Sequence, residues 1–244
     1  MSNVLSQFPS GIRFKYPWRT YQQRVLDELE SHLSYNHLHV IAPPGSGKTV
    51  LGLEVMLRLN KPTLILAPTR AIRNQWIDRF CTLFLQTNQK PDWISDTIKD
   101  PQFITVSTYQ GLHAACTGTE ELIESEEDED ESPEGVYIEA NLREVISALQ
   151  NQGLGTIVID EAHHLKNAWW QSIIKIKNHL SPVIVGLTAT PPYDVTYAEW
   201  TRYIDLNGPV DTEISVPELI KEGDLCPHQD YVLISNPTEE ELTH

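Results

Sequence analysis

Residues 38–49 read Leu38-His39-Val40-Ile41-Ala42-Pro43-Pro44-Gly45-Ser46-Gly47-Lys48-Thr49. Strand-type residues break into a Pro-Gly turn, and the turn runs directly into an apolar pattern of helical period over residues 49–59. A strand, a Gly-containing loop closing on Lys48-Thr49 and a helix make up the phosphate-binding loop pattern, with Ala42 where its first glycine usually stands. Gly45 and Gly47 let backbone N–H groups wrap an anion with no Cβ in the way. Pro44 and Ser46 complete the loop, and the helix that follows turns its N-terminal dipole towards the same anion. In such a pattern Lys48 reaches the β- and γ-phosphates of a nucleotide and the Thr49 hydroxyl holds Mg2+, so ATP and Mg2+ are the expected ligands.

The same alternation repeats outward from the loop. Upstream, Tyr21, Val25, Leu26, Leu29 and Leu33 fall on one face of a helix over residues 20–33, preceded by irregular chain punctuated by Pro9, Gly11 and Pro17. Downstream, strands are predicted over 63–67, 103–107, 156–159 and 183–187. Between and after them lie helices over 70–85, 109–115, 138–149 and 169–178. A short helix at 217–221, a turn at Gly223 and a last strand at 231–234 close the pattern. Strands rich in Val, Ile and Leu that alternate with helices predict an α/β fold, a parallel sheet covered on both faces.

Charge refines this reading. The chain of 244 residues carries a net charge of −16, which taken whole argues against a basic nucleic-acid binder. Yet residues 120–134 hold ten acidic side chains and no basic one, and residues 205–244 hold ten against Lys221 alone. The remainder sums to +3, and residues 1–90 to +6. A mildly basic body therefore bears two acidic stretches, of which 117–135 reads as a disordered insertion because it offers nothing to bury. Cys81, Cys116 and Cys226 stand at no metal or redox spacing, and an odd number suits a reducing compartment. With no secretory h-region and no membrane-length apolar run, a cytoplasmic protein without membrane contact is expected.

Residues 156–163, Thr-Ile-Val-Ile-Asp-Glu-Ala-His, supply a second half to the site. A hydrophobic strand ending in two carboxylates sets them at the carboxyl edge of the sheet, where ligands of open α/β folds bind. Asp160 is suited to position Mg2+ through its water shell and Glu161 to polarise the water that attacks the γ-phosphate. Taken alone, Asp-Glu after a strand also fits a helix N-terminus with favourable dipole charges.

Residues 42–49, the tetrad Asp160-Glu161-Ala162-His163 and Thr188-Ala189-Thr190 together resemble motifs I, II and III of superfamily 2 helicases of the DEAH-box type. The resemblance spans residues 18–190, and its flavour is similar to restriction-enzyme motor subunits and excision-repair helicases. It implies a P-loop NTPase fold, the RecA-like three-layer sandwich with a mostly parallel sheet. It also implies that Gln22 reads the adenine edge with Arg19 stacked on the base, although Gln23 leaves the register open. Ala67-Pro68-Thr69-Arg70 and Ser107-Thr108-Tyr109-Gln110 resemble the Ia and Ib segments, so Pro68, Thr69, Arg70, Thr108 and Tyr109 are expected along a nucleic-acid backbone. Thr69 and Thr108 could equally be helix N-caps. His163 is expected to couple to Thr188 or Thr190. A His163-His164 metal pair lacks a third ligand at fitting spacing, and Trp169 and Trp170 read as packing residues.

The expected organisation is an N-terminal segment over 1–36 with the adenine motif, an ATP-binding lobe over 37–204, and an exit segment over 205–244. The family's second RecA-like lobe, with its arginine fingers, would have to come from the parent chain or a partner. The function this implies is the ATP-binding lobe of a helicase or translocase acting on nucleic acid, DNA rather than RNA. A nucleotide-binding regulatory or partner-recruiting module without motor activity is the alternative.

Overall fold

The strands in chain order are β1 (His37–Ile41), β2 (Thr63–Ala67), β3 (Ile94–Ser95), β4 (Ile104–Thr108), β5 (Thr156–Asp160), β6 (Val183–Thr188) and β7 (Thr212–Glu213). The helices are α1 (Thr20–Glu30), α2 (Lys48–Leu59), α3 (Arg70–Arg79), α4 (Tyr109–Thr117), α5 (Gly135–Asn151), α6 (Asn167–Leu180), α7 (Tyr197–Asn207) and α8 (Val216–Lys221). The computed structural model describes residues 5–119 and 135–227. The expected disorder within 117–135 and the expected strand at 231–234 lie wholly or mainly outside the described residues.

Among the described residues the strands form one sheet in the order β3-β4-β2-β5-β6-β1-β7, and every pairing is parallel. Alternation along each strand divides its side chains between two cores. Ile65, Val158, Val185 and Leu187 point to the side covered by α1, α2 and α3, where Tyr21, Val25, Leu53, Met56 and Trp76 meet them. Leu64, Leu66, Ile157, Ile159 and Ile184 point to the side covered by α4, α5, α6 and α7. The result is a three-layer sandwich, as the buried strand runs required.

Register then places the functional segments. Ala67 pairs across from Thr108, Leu66 from Ile159, Asp160 from Leu187, and Ile41 from Thr188. Strands that end level with one another deliver the loops at 42–49, 67–70, 108–111, 160–164 and 188–191 to one edge of the sheet. Segments more than a hundred residues apart in sequence thereby become neighbours.

Three features depart from the sequence expectations. The helix expected over 70–85 is α-helical only to Arg79 and continues as a π-helical turn, Phe80–Leu85, which ends at Gln86 in the left-handed region. The boundary expected at residue 204 falls inside α7, whose start is fixed by a capping box between Thr196 and Glu199. Residues beyond it return to the body: Thr212 of β7 pairs with Val40, and α8 buries Leu219 in the α1–α3 core. No described helix is long and apolar enough to cross a membrane.

Candidate functional site

The loop before α2 is held open by its two glycines. Gly45 and Gly47 have φ of 84° and 88°, a left-handed backbone that costs a side-chain-bearing residue about 1–2 kcal/mol. The Ser46 hydroxyl turns inward and donates to the Pro43 carbonyl at 2.6 Å. The Ser46 carbonyl accepts from the Tyr21 hydroxyl at 3.2 Å and from Gln22 Nε2 at 3.0 Å. Helix α1 therefore braces the loop from behind, and Pro44 stays exposed.

Gln22, expected at an adenine edge, is 6% exposed, and its amide oxygen accepts from the Arg19 backbone N–H at 3.3 Å. One N–H and one lone pair of the amide are thus committed to the protein, and one of each is left over. Arg19 donates to the Tyr21 hydroxyl at 3.0 Å and pairs with Asp224 at 3.0 Å, and the bond to Tyr21 raises its pKa. Its guanidinium is half exposed. Asp224 carries no sequence signal, being one of ten acidic residues in its stretch and 205 positions from Arg19.

Lys48 Nζ forms an ion pair with the Glu161 carboxylate, bridging the phosphate-type loop and the end of β5. Glu161 is a non-glycine residue with φ of 56°, and this left-handed turn aims its side chain back along the sheet edge. Its second oxygen accepts from the Ala189 N–H at 3.2 Å. One carboxylate therefore ties the segments at 48, 161 and 189 together.

Asp160 ends β5 and is buried. Burial pushes its carboxyl pKa up and the neighbouring Glu161 adds to this, while the Trp76 hydrogen bond and Lys48 oppose it. The Trp76 indole N–H donates to Asp160 Oδ2 at 2.7 Å, and the Tyr109 hydroxyl donates to the Asp160 backbone carbonyl. Thr49 and Asp160 offer the hard oxygen donors that Mg2+ takes, and a carboxylate whose charge is disfavoured by burial gains from a cation beside it. These residues fit the ion. Among the described residues no three His, Cys, Asp or Glu side chains cluster as a protein-only metal site.

His163 Nδ1 lies 2.7 Å from the Thr188 hydroxyl, which itself donates to the Thr190 carbonyl at 3.1 Å. With the Thr188 proton used there, the imidazole must donate from Nδ1. Burial lowers the His163 pKa, and the His164 ring adds to this. Thr190 takes part through its backbone, not its hydroxyl.

The expected nucleic-acid residues separate into two groups. Thr69 and Arg70 are exposed and Pro68 is half-buried beside them, with Thr69 also capping α3 by accepting from the Ile72 N–H at 3.2 Å. Thr108 is buried and caps α4 by accepting from the Gly111 N–H at 2.9 Å. Tyr109 is 1% exposed and stacked on Trp169 at 5.8 Å. The expectation that the Thr108 and Tyr109 side chains line a nucleic-acid track is corrected: both point into the lobe, because α4 begins at once after β4 and its first residues face the core. A polar cleft of about 750 Å³ opens beside them, lined among others by Arg73, Lys99, Ser107 and Asn141. Arg73, one turn beyond Arg70, was missed in sequence and donates to the Asp96 carbonyl at 3.1 Å.

Residues 15–193 match the family model described as "Type III restriction enzyme, res subunit". A putative ATP-dependent RNA helicase, QP509L, of African swine fever virus (isolate Tick/Malawi/Lil 20-1/1983) is 30% identical over 74% of this chain and 30% of its own length. The DNA 3'-5' translocase XPB2 of Sulfurisphaera tokodaii is 27% identical over 89% of this chain and 40% of its own. The chain thus spans 30 to 40% of the length of these two relatives. In fold it is similar to the Hef helicase domain of Pyrococcus furiosus, with a TM-score of 0.54 at 18% identity over 84% of this chain and 39% of that one. The UvsW helicase of bacteriophage T4 gives 0.53 at 16% identity over 86% of this chain and 63% of that one. With the family model covering most of the sheet and every loop at its carboxyl edge, the chain belongs to the family of the type III restriction enzyme res subunit.

Proposed function

We propose that this chain is the ATP-binding lobe of a nucleic-acid helicase or translocase, acting on DNA. The observation that carries the reading is the Glu161 carboxylate, which meets both Lys48 and the Ala189 N–H. A group able to activate water thus sits between the residue suited to grip the γ-phosphate and the segment through which His163 contacts Thr188. The DEAH tetrad at 160–163, the family and the helicase and translocase names of the relatives support it. DNA is favoured over RNA because the family is that of a restriction enzyme and one relative is a DNA translocase.

In this reading the Thr49 hydroxyl and the Asp160 carboxylate would hold Mg2+, which would supply positive charge against that of the triphosphate. Gly45, Ser46 and Gly47 present backbone N–H groups to the phosphates, and Lys48 leaves Glu161 to reach them. Glu161, released from that pair, becomes free to accept a proton from the attacking water. Gln22 and Arg19 receive the adenine, and His163 passes the change to Thr188. Pro68, Thr69 and Arg70 hold the nucleic-acid backbone. A second RecA-like lobe, in the same chain or a partner, supplies arginines worth ~10³–10⁵ in turnover.

The test is ATPase activity with and without duplex DNA, measured for these 244 residues and for the chain joined to a second lobe. Weak turnover by the lobe alone and DNA-stimulated turnover by the two-lobed protein are expected. Robust DNA-stimulated turnover by the isolated lobe as a monomer overturns the two-lobe reading. Stimulation by RNA alone overturns the choice of DNA.

A further inference from the structure

Two buried aromatic side chains reach Asp160 from helices that begin at the carboxyl edge of the sheet. Trp76 lies on α3, less than two turns beyond Thr69 and Arg70, and its indole N–H donates to Asp160 Oδ2 at 2.7 Å. Tyr109 is the first residue of α4, directly after the Thr108 cap, and its hydroxyl donates to the Asp160 carbonyl. One bond fixes the carboxylate and the other fixes the backbone that bears it.

We propose that Trp76 and Tyr109 are positioning residues that yoke α3 and α4 to Asp160, so that nucleic acid gripped at the start of α3 sets the carboxylate that holds Mg2+. The inference rests on the roles proposed above for Asp160 and for the Thr69–Arg70 edge.

The surroundings suit a rigid link. A Cβ placed on Gly52 of α2 would meet the Trp76 ring and a Leu187 methyl at 2.6 Å each, so the indole is wedged with no room to pivot. Tyr109 is pinned by its stack on Trp169 at 5.8 Å and by burial of its ring. An indole N–H can only donate, so it holds one oxygen of an ionised carboxylate and leaves the other for a cation. Partners of this kind behind a metal ligand change metal affinity ~10–100-fold when removed. A displacement of α3 therefore reaches Asp160 with no flexible side chain between them.

The experiment uses this chain, a fluorescent ADP analogue, Mg2+ and a mixed-sequence DNA duplex. At position 76 the indole is replaced by β-(3-benzothienyl)alanine, which keeps the ring size and lacks the N–H, with Trp76→Phe as a second variant. Tyr109→Phe removes the other donor. Each variant is expected to bind the analogue in EDTA as the unaltered chain does. The Mg2+ concentration that restores tight binding should rise ~10-fold in the position-76 variants. DNA should tighten Mg2+-dependent binding at least ~5-fold in the unaltered chain and much less when both donors are removed. An unchanged Mg2+ midpoint together with an unchanged DNA effect overturns the yoke and leaves the site reading intact. Equal weakening in EDTA and in Mg2+ also overturns it, since that marks general damage. If the unaltered chain shows no Mg2+-dependent nucleotide binding, the reading of Asp160 falls and the yoke falls with it.

Discussion

Gly47→Ala tests how the nucleotide loop is built, because Gly47 and Gly45 share a left-handed backbone but a side chain at each would meet different surroundings. Both have a left-handed backbone, with φ of 88° and 84°. Strain for alanine there, about 1–2 kcal/mol, is partly offset by the lower entropy of the unfolded chain, leaving a net loss of about 1 kcal/mol at either site. A Cβ at Gly45 meets nothing within 4 Å, whereas one at Gly47 falls 2.6 Å from Gln22 Nε2. That amide cannot simply swing aside, since it donates to the Ser46 carbonyl at 3.0 Å and is buried. Displacing it forfeits a buried hydrogen bond, about 1 kcal/mol, with some residual crowding besides. Gly45→Ala is therefore expected to cost about 1 kcal/mol and Gly47→Ala about 2–3 kcal/mol. In a domain of this size the second is a fall of roughly 4–12 °C in Tm. Urea denaturation of the four chains formed by Gly47→Ala and Gln22→Ala, singly and together, isolates the clash. In the Gln22→Ala background the cost of Gly47→Ala should shrink to that of Gly45→Ala. Equal costs at the two glycines, or no coupling between positions 22 and 47, would refute the brace from α1.

Other expectations follow from the same geometry. In the two-lobed protein Lys48→Ala and Glu161→Gln should each abolish ATP turnover, measured as phosphate release, and normal turnover in either removes its assigned role. Thr188→Val deletes the acceptor of the His163 N–H, and should leave nucleotide affinity within about twofold while lowering DNA stimulation of turnover; unaltered stimulation speaks against coupling through this pair. Burial holds His39 and His113 below the ordinary imidazole value of about 6.5, so the unfolded chain binds protons before the folded one. Their contribution to stability is then complete above the unfolded pKa and declines as pH falls through about 6.5, and a urea midpoint that rose on acidification would contradict it. Arg24 joins Glu218 of α8 through Nε at 3.1 Å and Nη2 at 2.8 Å, and also donates to the Glu213 carbonyl. Arg24→Ala should cost about 1 kcal/mol and speed proteolysis near residues 213–221, while no change in cleavage would show that α8 is held by Leu219 alone.

What was legible in the sequence follows from the range of the forces involved. The strand at 63–67 is legible to the residue, because a β-branched Thr63 and four apolar residues stand between turn signals and leave one solution. Helix α7 was missed, although Thr196 and Glu199 spell a capping box ahead of Tyr197 and were a usable signal. Strands β3 and β7 have two residues each and carry no periodicity, so only the sheet beside them defines them. Tyr109 is expected on a nucleic-acid track only through the resemblance of residues 107–110 to the Ib segment, whereas its side chain follows the inward face of α4.

By itself, then, the chain determined the α/β alternation, the phosphate-type loop, the paired carboxylates and the concentration of acid in two stretches. Those are local properties, set by side-chain chemistry and spacing within about ten residues. Tertiary structure alone decided which groups meet. Strand register brought Glu161 to Lys48 and Ala189, and His163 to Thr188. Helix packing delivered Trp76 to Asp160 across 84 residues of sequence and Tyr109 across 51. A hydrogen bond is a matter of a few tenths of an ångström, and no residue pattern carries that precision over such separations until the sheet and its covering helices are assembled.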